Sequence, residues 1–91
     1  MLRQARIEHT LANMAKVHAQ HALAGNYHLE TRYAPPGWEW FVLDATRPSK
    51  TLFSGASATL RAAMNEAAVH VGLYPGLVKW LPIGPEIEVP D

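Results

Sequence analysis

From Leu2 to Ala24 the chain contains neither glycine nor proline, and its apolar positions recur at helical spacing. At about 100° per residue, Ile7, Leu11, Met14, Ala15, His18 and Ala22 share one face, while Arg6, Asn13, Lys16 and Gln20 fall away from it. This pattern predicts an amphipathic helix. Gly25-Asn26 follow the last periodic position and suit a left-handed helix stop. The period then changes to two. Tyr27, Leu29, Thr31 and Tyr33 alternate with His28, Glu30 and Arg32, which predicts a half-buried strand. Ala34-Pro35-Pro36-Gly37 reads as a turn, because two prolines fix φ and remove two ladder donors. The aromatic and β-branched run Trp38 to Ala45 is the return strand. Closing this loop opposes Tyr33 to Trp38, Arg32 to Glu39, Thr31 to Trp40, Leu29 to Val42 and His28 to Leu43, so that Arg32 meets an opposite charge.

Thr46 to Lys50 reads as a loop and Thr51 to Ser54 as a short third strand, with Phe53 beside Val42 and Leu52 beside Leu43. A second helix follows, with Ser57 as N-cap and a stripe of Leu60, Ala63, Met64, Ala67, Ala68 and Val71 that ends at Gly72 before Pro75. From Leu73 onward four prolines and two glycines among 19 residues exclude a long helix. Gly76 to Leu81 has room for a turn or two, and the rest reads as an extended tail. The expected fold is therefore α+β: helix, three-stranded antiparallel sheet, helix and extended Pro-rich tail. Its division is a single α-β-β-β-α domain over 1–74 and a Pro/Gly-rich tail over 75–91.

The 91 residues carry eight Lys+Arg against eight Asp+Glu, with five His and no Cys. A chain of this length is one domain that buries only about 60 to 65% of its unfolded surface, which disfavours a deep enclosed pocket. Zero formal charge disfavours broad electrostatic binding to nucleic acid. Without cysteine there is no disulfide framework, thiolate nucleophile or Cys-ligated zinc. No apolar run approaches the ~18 residues of a membrane span and no signal peptide is visible, so a cytoplasmic location is expected. Charge is uneven. Residues 1–24 hold Arg3, Arg6 and Lys16 against Glu8, three cations to one anion. Residues 57–91 hold Arg61 and Lys79 against Glu66, Glu86, Glu88 and Asp91, two cations to four anions. This asymmetry favours contact between the two ends or weakly oriented docking on a partner.

Catalytic and metal chemistry find incomplete constellations. His18 and His21 fall on one helix face, with His28 beyond, but no Cys joins them and Glu30 is the nearest carboxylate; His18 occupies the apolar stripe, where a histidine packed against a carbonyl is expected. Ser49, Ser54 and Ser57 lie outside any G-x-S-x-G elbow, and His70 is the sole base in the second helix. Glu39 and Asp44 have opposite strand parity. Gly72 and Gly76 flank a proline rather than open a helix, so no phosphate loop is present. The chain is therefore expected to be no enzyme and to require no cofactor or metal.

Sheet parity is more informative. With Tyr27, Leu29, Trp40, Val42 and Phe53 under the helices, the other face receives His28, Glu30, Arg32, Glu39, Phe41, Leu43 and Leu52. Phe41, Leu43 and Leu52 are neighbours in the expected register and form an apolar patch that a partner protein, a second copy or the tail must cover. Tyr33 and Trp38 at the hairpin tip, with Arg32 beside them, have the composition of a protein-binding hot spot. These six residues are the expected protein-binding site, with another protein or a homodimer as the partner and neither nucleic acid nor membrane.

Three resemblances accompany this reading. The layout from Tyr27 through Ser54-Gly55 and Ser57 is similar to the double-stranded-RNA-binding domain over residues 4–72, which implies an RNA-binding module. That family grips phosphates with lysines at the start of its second helix, where this chain has Ser57-Ala58-Thr59-Leu60-Arg61. Phe53-Ser54-Gly55 before an Ala-rich helix resembles HicB-type antitoxins, which begin with a strand. The Trp38-Glu39-Trp40 strand and the chain's size resemble small phage and mobile-element proteins, anti-CRISPR inhibitors among them, which implies a non-enzymatic inhibitor of a host defence complex.

Overall fold

A computed structural model describes residues 14–90. They form a five-stranded antiparallel sheet, β1 (Met14–Ala24), β2 (Tyr27–Ala34), β3 (Gly37–Asp44), β4 (Arg47–Ser57) and β5 (Leu81–Pro90), in the spatial order β4-β3-β2-β1-β5. The single helix among these residues, α1 (Leu60–His70), follows β4 at one edge of the sheet. It packs across β3, β2 and β4. The chain then passes through a short 3-10 turn at Pro75–Leu77 and returns as β5 at the opposite edge, beside β1.

The architecture corrects the expected one in three places. The predicted leading helix is, over Met14–Ala24, the strand β1; its first part lies outside the described residues. The sheet has five strands instead of three, because β1 and the predicted Pro-rich tail both pair into it. The α+β label gives way to a mainly β structure carrying one helix.

Strand β1 escapes a period-of-two reading because its own alternation slips. Ala19 belongs to the helix-side core, and three residues on Ala22 is the paired neighbour of Leu29 on that same side. Between them, the Gln20 N–H donates to the Thr31 hydroxyl at 2.7 Å, and that hydroxyl donates back to the Gln20 carbonyl at 2.9 Å. A side chain thus replaces the backbone ladder for one step. The result mimics helical spacing.

The tail becomes a strand because it lies at the sheet's edge, where Pro82 and Pro85 need no outward ladder donor. Register along β1 shifts between His18, opposite Glu86, and Ala19, opposite Ile83, leaving Gly84-Pro85 as the excess. Gly84 takes φ 78°, a conformation that glycine alone adopts without strain. The His18 imidazole Nδ1–H donates to the Gly84 carbonyl at 3.1 Å, which pins the irregularity. Beside this irregularity Lys16 Nζ lies 4.0 Å from the Glu86 carboxylate.

The β2–β3 hairpin has the expected register throughout: Tyr33 opposite Trp38, Arg32 opposite Glu39, Thr31 opposite Trp40, Leu29 opposite Val42 and His28 opposite Leu43. Phe53 lies opposite Val42, but a shift in β4 then brings Thr51, not Leu52, opposite Leu43. β4 begins at Arg47, so the predicted 46–50 loop is a tight turn followed by strand. In that turn Asp44 accepts from the hydroxyl and the N–H of Thr46 at 2.7 and 2.8 Å. These hydrogen bonds hold the Asp44 carboxyl below the usual carboxylate range. Their support is complete above that range and fades as pH falls through the lowered pKa. The Thr46 amide signal is expected to report this step in an acid titration.

The core lies between α1 and the sheet: Leu29, Trp38, Trp40 and Val42 below, Ala63, Ala67 and Ala68 above. Alanine on the helix permits close approach, so the two tryptophans fill the gap. The helix is capped by Thr59, whose hydroxyl accepts from the Ala62 N–H at 3.1 Å, two residues beyond the expected Ser57. Ser57 is used differently. Its hydroxyl and the Trp40 indole N–H, the latter at 2.9 Å, both donate to Glu66 Oε2 on α1, tying helix to β3 and β4. The indole lies directly over Gly55, where any Cβ would come within 2.5 Å of the ring.

Candidate functional site

The two faces of the sheet carry different surfaces. On the face away from α1 lie the alternate residues of the central strands: His28, Glu30 and Arg32 from β2, and Glu39, Phe41 and Leu43 from β3. The Arg32 guanidinium lies 4.9 Å from the centre of the Phe41 ring, so cation and aromatic face cover one another. Phe41 is half-buried, and Leu43 is 8% exposed. Leu52, displaced by the shift in β4, is half-buried against the core. The rings of Tyr33 and Trp38 meet at 5.1 Å, tilted by 48°, on the helix side, with Trp38 buried and Tyr33 half-buried. Of the six residues expected to bind a partner, Arg32 alone is exposed.

Helix α1 covers β2, β3 and β4, so a trough of about 890 Å³ opens beside it toward β1 and β5. Its walls include Val17, Tyr33, Trp38, Leu60, Met64 and Trp80, with Arg61 at the margin. Trp80 and Val78, from the segment after the 3-10 turn, are partly buried against the core.

Among the described residues, the most exposed large apolar side chains gather instead at one end, where the β1–β2 turn meets the α1–β5 connection. Leu23 is 74% exposed, Tyr74 78% and Leu77 81%. They line one cavity of about 320 Å³ together with Ala24, Leu73, Val78 and Lys79. Two glycines with positive φ, Gly25 at 61° and Gly72 at 77°, turn the chain on either side of it. Leu81 at the start of β5, pairing with His21, is also exposed. Lys79 brings the cavity's single charge among the described residues. None of these residues stood out in the sequence. Leu23 fell inside a predicted helix, and Tyr74 and Leu77 sit among prolines and glycines where no periodic pattern marks a surface.

The groups singled out for catalysis do not assemble into a nucleophilic site. The Ser57 hydroxyl is held by the Glu66 carboxylate instead of an imidazole. His70 lies between the rings of Trp40 and Phe53, at 5.2 and 4.5 Å. The predicted histidine trio is divided: His18 turns to Gly84, while His21 and His28 meet across β1 and β2, Nδ1 to Nε2, at 3.1 Å. Among the described residues no helix is long and apolar enough to cross a membrane. The chain matches no protein-family model, and neither a curated protein nor a solved structure matches it.

Proposed function

We propose that this chain is a non-enzymatic protein that binds another protein through the apolar end formed by Leu23, Tyr74 and Leu77. The observation that carries this reading is the clustering of three large apolar side chains, each about three-quarters exposed or more, around one shallow cavity. Single exposed leucines are ordinary on a folded surface; a contiguous group with an aromatic in it marks an interaction site. Tyrosine supplies large, rigid contact area at low entropic cost, which suits a hot spot. The near absence of charge in the lining, with eight cations balancing eight anions in the whole chain, favours an apolar protein surface over a phosphate backbone. A second copy of the chain is the less favoured occupant, because the edge strand nearest this end begins Leu81-Pro82 and is broken by Gly84-Pro85, which blunts strand-to-strand pairing.

The experiment is capture of a binding protein on the immobilised chain, its identification, and titration of the purified pair. Leu77→Asp is expected to weaken binding by at least about 2 kcal/mol, some thirtyfold, as a hot-spot truncation does. The same change should leave the melting temperature nearly untouched, because an exposed substitution is worth within about 0.5 kcal/mol of stability. Wild-type affinity in Leu77→Asp and Tyr74→Ala alike would overturn the assignment. Self-association lost on Leu77→Asp, seen by sedimentation in the absence of any partner, would replace the foreign protein with a second copy.

A further inference from the structure

We propose that His21, His28 and Glu30 form a binding site for a divalent transition-metal ion on the sheet face opposite α1. The three side chains come from adjacent central strands. His21 of β1 is the paired neighbour of Glu30 on β2, and His28 lies two residues before Glu30, so all three project from one face. His21 Nδ1 and His28 Nε2 are 3.1 Å apart. Two imidazole nitrogens bound at 2.0–2.1 Å to one ion reach this separation when the angle at the metal is about 100°, between the octahedral and tetrahedral values. The ring planes stand at 65° to one another with centroids 5.4 Å apart, so the nitrogens meet without the rings stacking.

Glu30 Oε1 lies 3.8 Å from the same His28 Nε2. As the side chains lie, no three donors among the described residues converge on one point. The carboxylate is the donor that must move, and it has the freedom to do so: its side chain is 31% exposed and flexible, whereas the His28 side chain is 20% exposed. The backbone beneath is a pair of central strands, and a rigid base is what a precise site needs.

The site is apolar on one side, with the Arg32 guanidinium beyond it over Phe41. Across β2–β3, His28 faces buried Leu43 and Glu30 faces half-buried Phe41, so one wall of the site is apolar and strengthens the attraction of carboxylate for cation. Two imidazoles and one carboxylate suit ions of borderline softness such as zinc. Three protein donors leave the remaining positions open for water or for a ligand from outside. Whichever ring donates in this contact must carry its proton on its other nitrogen before both lone pairs reach the ion. This is a tautomer change, and neutral imidazoles release no proton in it.

The test is titration of the EDTA-treated full chain with zinc chloride, followed by calorimetry and by the imidazole proton signals. The expected result is about one equivalent bound, saturating below about 100 µM, with the melting temperature rising as zinc is added. The signals of His21 and His28 should move together while those of His18 and His70 stay in place. His28→Ala is expected to weaken binding at least about tenfold and Glu30→Gln measurably, with His18→Ala unchanged. Absence of saturable binding to the wild-type chain, or equal affinity in His28→Ala, would overturn the proposal. The wild-type spectra decide the question even if a variant folds poorly, since movement of His18 or His70 in step with zinc would place the ion elsewhere.

Discussion

Trp40→Ala is expected to cost about 3–5 kcal/mol of folding free energy. Its ring is buried between α1 and the sheet, lies over Gly55 and donates its N–H to Glu66. Truncation removes all three relations together. It opens a cavity that the alanines of the helix are too short to fill, and it leaves the Glu66 carboxylate with one donor, Ser57, in place of two. A domain of this size loses about 4–8 °C of melting temperature per kcal/mol, so the melting point should fall by at least about 12 °C. Thermal or urea unfolding checks it. Trp40→Phe, which keeps most of the ring and loses the hydrogen bond, should recover more than half the loss.

Thr31→Val should cost about 2–4 kcal/mol although it removes only a hydroxyl from a side chain of unchanged shape. Thr31 is buried, and its oxygen both accepts from the Gln20 N–H and donates to the Gln20 carbonyl. Valine leaves both backbone groups without partners, at about 1–3 kcal/mol for each such group when shielded from water. Thr31→Ser keeps the hydroxyl and is expected to restore most of the stability. Hydrogen exchange should localise the damage, since the Gln20 amide loses its protection in the valine variant and keeps it in the serine variant. The outcome bears on the whole sheet, because β1 is the strand that links β2 to β5.

The β2–β3 hairpin was legible because each residue's chemistry agreed with its neighbours. Strict alternation, a four-residue turn and the pairing of Arg32 with Glu39 all point to one register, and Leu29 opposite Val42 follows from it. The helix was legible from its alanine stripe, with the cap moved from Ser57 to Thr59 because the Ser57 hydroxyl is committed to Glu66. β1 was hidden by three local facts. Alanine carries no strong β preference, the slip at Gln20 spaces Ala19 and Ala22 as a helix would, and Gly25-Asn26 suits a hairpin turn as well as a helix stop. β5 was hidden because proline is a breaker inside a sheet and harmless at its edge, a distinction that depends on strand order.

The site followed the fold. Parity placed Phe41 and Leu43 on the face away from the helix, but Leu43 is buried there and the shift in β4 turns Leu52 to the core. The apolar end at Leu23, Tyr74 and Leu77 arises only when the β1–β2 turn and the α1–β5 connection are brought together, so no local pattern announces it. His21 and His28 show the same dependence. They meet because β1 pairs with β2, which a helix reading of residues 14–24 excludes.

Amide hydrogen exchange of the chain, free and bound to the protein it captures, tests the functional account most directly. The expected footprint is slowed exchange at Leu23–Ala24 and Leu73–Lys79, the two segments that line the apolar end, with β3 and β4 unchanged. Protection centred on Glu39–Leu43 or on the exposed edge β4, with Leu73–Lys79 exchanging as fast in the complex as alone, would contradict it.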